Sequence, residues 1–322
     1  MPNSGLWQKQ VFKRKSNGYL DVINWNEAMS DKIIASLTSY PPRIKTVHFT
    51  VKSLLNQTLK TKTILWLSEE EFPNKENDLP SELLDLRRSG LEIEWCCNTK
   101  SYKKLIPALE KYWDSVIITF DDDLIYNKKT IEILYKCYKE HPQDIIAHRI
   151  TRMYYNENSE LVILPGRLYY NRISIKKYYV NSLKKPSFFN KFTGVGGILY
   201  PPNCLHRDVL DKTAFLQIAP TNDDIWFWLQ AVRNNVRVRV PEKHFSTLHY
   251  IPHTQDVGLT RINDHGERLF FIQLKNVIEH YPEIKDKLKY DDIENSKVVY
   301  SLIRSGINIF INKLYKILKD NK

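Results

Sequence analysis

Cysteine is scarce in this 322-residue chain, and what there is does not cluster. Cys96, Cys97, Cys137 and Cys204 show no CxxC spacing and have no matching set of histidines. That argues against a disulfide framework or a zinc ribbon and fits a reducing compartment. No run of eighteen apolar residues occurs, so no transmembrane helix is expected. The first residues, Met1 to Trp7, lack the apolar core of a signal peptide, and a cytoplasmic location is the expectation. There is no Arg/Gly-rich tract and no compact basic motif, so nothing points to nucleic acid as a partner. Internal repeats and low-complexity tracts are also absent. Glycine is rare enough, at ten residues, that Gly194, Gly196 and Gly197 falling together marks a place where the backbone must turn tightly or approach something closely.

A chain of this length suffices for one large α/β domain with appendages. Its formal charge of +11 favours anionic partners: nucleotides, phosphorylated substrates or an acidic membrane face. The stretch around which the rest is arranged is the apolar, β-rich run 116–120 followed by Asp121, Asp122 and Asp123. The run reads as a buried strand of a parallel sheet. Acids at the carboxyl end of such a strand stand where open α/β sheets bind ligands. Three adjacent carboxylates repel one another, and a magnesium-type ion bridging a phosphorylated substrate would offset them. An acidic turn, or caps on the next helix, is the plain alternative.

Regular alternation starts at residue 33. Strands are expected at 33–37, 63–67, 91–96 and 116–120. Helices are expected from about Arg43, at 80–89 closed by Gly90, and from a Ser101 cap to Tyr112. This rhythm implies parallel pairing with right-handed crossovers. The ends of the first, third and fourth strands then converge. Their loops bring Thr38, Ser39, Tyr40 and Arg43, then Lys103 and Lys104, then the acid triplet, to one edge suited to phosphate. A helix is expected over 128–141, ended by Pro142, then a strand at 145–147. Residues 156–191 are rich in Tyr and basic residues without a clean period, as functional insertions often are. The glycine run 194–197 reads either as a ligand-bordering loop or as a hairpin turn. Asp223 and Asp224 open an apolar helix that runs to about Asn234. They are either helix-start acids favoured by the macrodipole or a carboxylate held as a general base. A strand is expected at 236–240, and His249, in a strand-like segment, is a candidate to complete a metal site with Asp123.

Taken in order, five segments resemble bacterial glycosyltransferases of the nucleotide-sugar-binding GT-A fold: 36–43, 101–107, Asp121 to Asp123, 194–202 and 222–226. The resemblance covers roughly residues 31–265. It implies a mostly parallel α/β sheet flanked by helices. It also implies a manganese or magnesium ion held by Asp123 and bridging the donor diphosphate, with Asp121 at the ribose or the metal and Asp122 beside them. Thr38, Ser39, Tyr40 and Arg43 would hold the nucleotide, Lys103 or Lys104 would lie near ribose or phosphate, and Gly196 and Gly197 would border the donor sugar. One of Asp223 and Asp224, with Asp224 preferred, would deprotonate the acceptor hydroxyl for inverting transfer. The implied substrates are a nucleotide-diphosphate sugar and a glycan or lipid-linked glycan of the bacterial surface.

Two other readings compete. A nucleotidyltransferase acting on sugar phosphates also joins an α/β sheet to metal-binding acids, but it would carry a glycine-rich loop after the first strand, and residues 38–43 contain no glycine. A catalytically silent carbohydrate-binding protein would have no need of both acid sets. Residues 1–30 read as an extension and 31–265 as the glycosyltransferase domain, leaving 266–322 as a helical region. Within that last region, Val299, Ile303, Ile307, Phe310 and Leu314 recur at helical spacing among basic residues. Such a helix lies on the inner face of an anionic membrane, closes over the core domain or pairs with a second subunit.

Overall fold

A computed structural model describes residues 33–164, 185–242, 249–257, 269–289 and 291. The amino-terminal extension and the basic tail 297–322 lie outside the described residues. The strand Ile33–Thr38 (β1) is almost wholly buried and pairs in parallel with both Lys62–Ser68 (β2) and Val116–Phe120 (β4). Leu91–Cys96 (β3) extends the sheet beyond β2. On the other side, the antiparallel strand Ile198–Tyr200 (β10) joins β4 to Ile145–Ala147 (β6), which pairs in parallel with Val238–Arg239 (β11). The order is β11-β6-β10-β4-β1-β2-β3. The chain is therefore mixed α/β, with a mostly parallel central sheet. One antiparallel strand brings the glycine turn before β10 to the edge where β1 and β4 end.

Alternating side chains divide the interior into two cores, as a sheet covered on both faces requires. Ile33, Ala35, Leu37, Val116, Ile118 and Phe120 face one core, closed by Val47–Leu55 (α1) and by Ile131 and Leu134 of Thr130–Glu140 (α4). Ile34, Ile64, Trp66, Ile117, Ile198 and Tyr200 face the other, closed by Lys212–Ile218 (α5), Asp223–Arg233 (α6) and Leu269–His280 (α7). This second core continues past residue 265, through Leu274, Val277, Ile278 and on to Leu288.

Several elements depart from the periodicity. The helix expected from Arg43 is a 3-10 turn, Pro41–Arg43, and α-helix begins only at Val47. The segment expected to be one helix at 80–89 splits into Ser81–Leu84 (α2) and a 3-10 turn that Gly90 closes at φ +102°. Ser101 does not cap a helix. Lys100–Lys104 is 3-10, and α-helix is confined to Ile106–Lys111 (α3). Pro107 has no amide hydrogen to donate to Lys103, which stops an α-turn from crossing the junction. The stretch without a period holds Leu161–Ile163 (β8) and most of Asn190–Phe192 (β9), which pair antiparallel on either side of Ile150–Tyr155 (β7), just before it. Strands of three residues, as β8 and β9 are, are too short to show alternation. Finally, Leu124–Ile125 (β5) pairs with His249–Tyr250 (β12) beside the acid triplet.

Candidate active site

The carboxyl ends of β1 and β4 open onto a cleft of about 690 Å³, ordinary for a small-molecule site. Its acid triplet is fixed through the backbone. Thr50 Oγ1 lies 3.0 Å from the Asp122 carbonyl and 2.8 Å from that of Leu124, and Ile251 N–H donates to Asp123 O at 2.8 Å. The Asp122 side chain is spoken for: Ser39 Oγ donates to it at 2.6 Å and Arg43 Nη1 at 2.7 Å. Arg43 Nη1 also lies 3.0 Å from Asp123 Oδ2, and Arg43 Nη2 donates to Thr254 O at 2.9 Å. Burial works against the guanidinium, but Asp122 and Asp123 hold it charged. Arg43 therefore offsets part of the charge of Asp122 and Asp123, while Asp122 organises the loop.

Asp123 keeps one oxygen uncommitted. Gln255 Nε2 donates to Oδ2 at 2.8 Å, whereas Oδ1 is buried without a hydrogen-bond partner. Burial, then the neighbouring Asp121, raises its pKa. An orphaned buried carboxylate oxygen costs free energy unless something completes it. Among the described residues, no three His, Cys, Asp or Glu side chains gather closely enough to hold a metal. Hard divalent ions bound with phosphate need only one or two carboxylates, and Asp123 fits that pattern. His249 does not converge on it. It is exposed on β12, and its neighbour Tyr250 lines the cleft with Gln255 instead. Alternation along the strand turns His249 away when Tyr250 faces in.

Lys104 ties the triplet to the second acid pair. Its Nζ lies 3.0 Å from Asp121 Oδ1 and 3.0 Å from Asp223 Oδ2. Burial would lower its pKa, but the facing carboxylates outweigh burial and hold it well above the ordinary value. The Lys104 loop is anchored on both sides. Ser36, a polar residue inside β1, donates Oγ–H to Lys104 O at 2.6 Å while accepting from Trp66 Nε1 at 2.9 Å. Tyr102 O–H donates to Ala219 O at 2.7 Å, just before the acid pair. Lys103 is buried and paired with Glu71.

Asn222 caps α6, its side chain accepting from Ile225 N–H. This sets Asp223 against Lys104 and turns Asp224 towards the glycine loop. Gly194 N–H donates to Asp224 Oδ2 at 3.0 Å, and Asp224 Oδ1 is buried without a partner. Burial raises the Asp224 pKa to about 6, although Lys104 opposes the shift. The two adjacent acids thus differ: Asp223 faces the Lys104 ammonium, and Asp224 keeps one buried oxygen without a partner, available to act as a general base.

The cleft gathers Thr38, Ser39, Tyr40, Arg43, Lys103, Lys104, Asp121, Asp122, Asp123, Asp223 and Asp224. Gly196 and Gly197 stand behind it. They adopt φ +100° and +94°, and a Cβ on Gly197 would come within 2.9 Å of the Phe120 ring. Gly194 and Val195 take the lining position instead. Sequence reasoning also missed Lys191, Thr193, Arg149, Gln255 and Phe270. Lys191 left a signal, being a lysine inside the apolar run Phe188, Phe189, Asn190, Lys191, Phe192. Gln255 and Phe270 left none, because only the tertiary fold brings them to the cleft.

No protein-family model matches this chain, and no curated protein matches it. Solved structures do match. Staphylococcus aureus TarS residues 1–349 in complex with UDP is 15% identical, with a TM-score of 0.42 over 78% of this chain and 72% of that one. The 4-diphosphocytidyl-2C-methyl-D-erythritol synthase of Anaerococcus prevotii is 12% identical, with a TM-score of 0.43 over 74% and 98%. A cytidylyltransferase of Leptospira borgpetersenii is 11% identical, with a TM-score of 0.39 over 80% and 96%. The similarity of this chain to these proteins is one of α/β architecture.

Proposed function

We propose that the chain is a metal-dependent glycosyltransferase that moves a sugar from a nucleotide-diphosphate sugar to a hydroxyl of a bacterial surface glycan, with inversion. The observation that carries the reading is one cleft holding two differently prepared acids. Asp123 has a free oxygen among neutralised carboxylates, and Asp224 has a free oxygen at the head of a buried helix.

A divalent ion held by Asp123, with Asp121 beside it, would supply Lewis acidity to the departing diphosphate. The protein's own groups do the rest. Residues 38–40 and the 3-10 turn of Lys100–Lys104 cradle the nucleotide. The Lys104 ammonium lies between Asp121 and Asp223, and Gly194 N–H aims Asp224 by one oxygen. The acceptor O–H gives its proton to Asp224 Oδ1 as its oxygen attacks the anomeric carbon. The bond from that carbon to the diphosphate oxygen breaks, its electron pair leaving with the nucleotide.

The test is turnover on a panel of sugar nucleotides, with manganese and with a chelator, for the full chain and for Asp123→Ala and Asp224→Asn. Chelator is expected to abolish turnover. Asp224→Asn is expected to lower kcat about 10²–10⁴-fold, as loss of a general base does. Undiminished activity in both variants would sink the assignment. Pyrophosphate released from a nucleoside triphosphate and a sugar phosphate would mark a nucleotidyltransferase instead.

A further inference from the structure

The cations of this cleft are not equally compensated. Arg43 is paired with Asp122 and Asp123, Lys103 with Glu71, and Lys104 with Asp121 and Asp223. Lys191, on β9, is as buried as they are, at 5% exposure, yet among the described residues no carboxylate lies within 4.0 Å of its ammonium. It spends one donor on the carbonyl of Phe192, at 3.2 Å, and an ammonium has three. The Phe270 ring, 5.4 Å from Nζ, covers one side. Burial pushes its pKa down, and the charges that most offset this are Asp224 and then Asp223. β9 packs against α6, whose first turn carries Asp223 and Asp224, so Lys191 belongs to the half of the cleft around the base. A second group points the same way. Thr193 lines the cleft, and its hydroxyl is buried without a hydrogen-bond partner. Its N–H donates to Arg149 O, which joins a further cationic residue to the same wall.

A buried ammonium with donors to spare is costly unless an anion completes it. In the proposed reading the donor diphosphate is at the triplet and the acceptor at Asp224, and Lys191 precedes by three residues the Gly194 whose N–H holds Asp224. We infer that Lys191 and Thr193 form an anion-recognising subsite beside Asp224, and that the acceptor carries a phosphate or carboxylate next to its reacting hydroxyl. This rests on the transferase reading for the word acceptor. The subsite itself rests on Lys191 and Thr193 alone. An anion seated there places the neighbouring hydroxyl against Asp224 Oδ1, so one contact both selects and orients the substrate.

The full-length protein, with whichever sugar nucleotide it turns over, is offered three acceptor series: a polyol-phosphate oligomer, a uronic acid-containing oligosaccharide and a neutral oligosaccharide. One anionic series is expected to be preferred, and which one identifies the anion. Lys191→Met is expected to raise KM for that acceptor about 10–100-fold, the worth of a charge-assisted hydrogen bond, with a much smaller effect on neutral acceptors. Lys191→Arg should restore most of the affinity, and Thr193→Val should give a weaker version of the same shift. Wild-type preference for the neutral series, or an equal loss on all three, would overturn the subsite. So would an effect confined to kcat and its pH profile, which would make Lys191 a partner of Asp224 only. If no sugar nucleotide is turned over, the transferase reading has failed, and calorimetric binding of the same three probes tests the subsite separately. Tighter anionic binding that Lys191→Met abolishes would support it, and equal binding of all three would end it.

Discussion

Lys104 is the residue on which the two acid sets meet. Its ammonium is shared between Asp121 and Asp223 at 3.0 Å each, and the side chain is almost wholly buried. Lys104→Met would leave both carboxylates facing an apolar stem. Breaking a buried pair in this way costs about 3–5 kcal/mol, to be read as a lowered urea midpoint at unchanged slope. Asp224 makes a different prediction. Its pKa is raised to about 6 by burial, and a base acts in its ionised form. The side chain is therefore protonated, and turnover falls, as the pH drops through about 6, whereas an ordinary aspartate would titrate near 4. A kcat profile flat down to pH 5 would remove Asp224 from the role. The sequence placed Lys104 in a strand-end loop, and it does line the cleft, but its pairing was not legible, since it spans Lys104, Asp121 and Asp223.

At the scale of elements, the turn from β9 to β10 carries the tightest constraints. A Cβ on Gly194 would lie 2.7 Å from Asp121 Oδ1 and 2.9 Å from Lys104 Nζ. Gly197 combines φ +94° with contact against Phe120. The two substitutions should separate cleanly. Gly197→Ala should lower stability by about 1–3 kcal/mol, from left-handed backbone strain and displacement of the ring, as measured by thermal unfolding. Gly194→Ala should cost more in turnover than in stability, because it displaces Asp121 and the amide that aims Asp224. The reverse ranking would mean that the turn is only a hairpin. The crowding of glycine was visible in the sequence. Which glycine faces the cleft and which faces the core was decided by the antiparallel entry of β10.

Across the whole molecule, the excess positive charge is not spread over the cleft. Arg43, Lys103 and Lys104 are matched there by carboxylates. Among the described residues, no helix is long and apolar enough to cross a membrane. The periodic basic tail carries a prediction of its own. Deleting residues 297–322 should abolish flotation of the full chain with anionic liposomes and leave the cleft's nucleotide binding intact. Equal flotation of both forms would end the membrane idea. The second core shows why the fold past residue 265 was hard to read. Leu274, Val277 and Ile278 pack against α6, an attachment that the local helical pattern of α7 does not reveal.

The sequence by itself pointed to the parallel strands, because short β-branched runs such as 33–37 and 116–120, closed by polar residues, suit strands buried on both faces. It also determined which acids stand at strand and helix ends, since carboxylates next to such apolar runs can sit only at the tips. Tertiary structure alone decided which of those acids remain free. Asp122 is silenced by Ser39 and Arg43 and Asp223 by Lys104, while Asp123 and Asp224 each keep an oxygen. Those differences come from partners up to 119 positions away (Lys104 and Asp223), and no local pattern encodes them. The same holds for the exchange of His249 for Gln255 at Asp123. Strand alternation turned one away, and the chain reversal after β12 brought in the other.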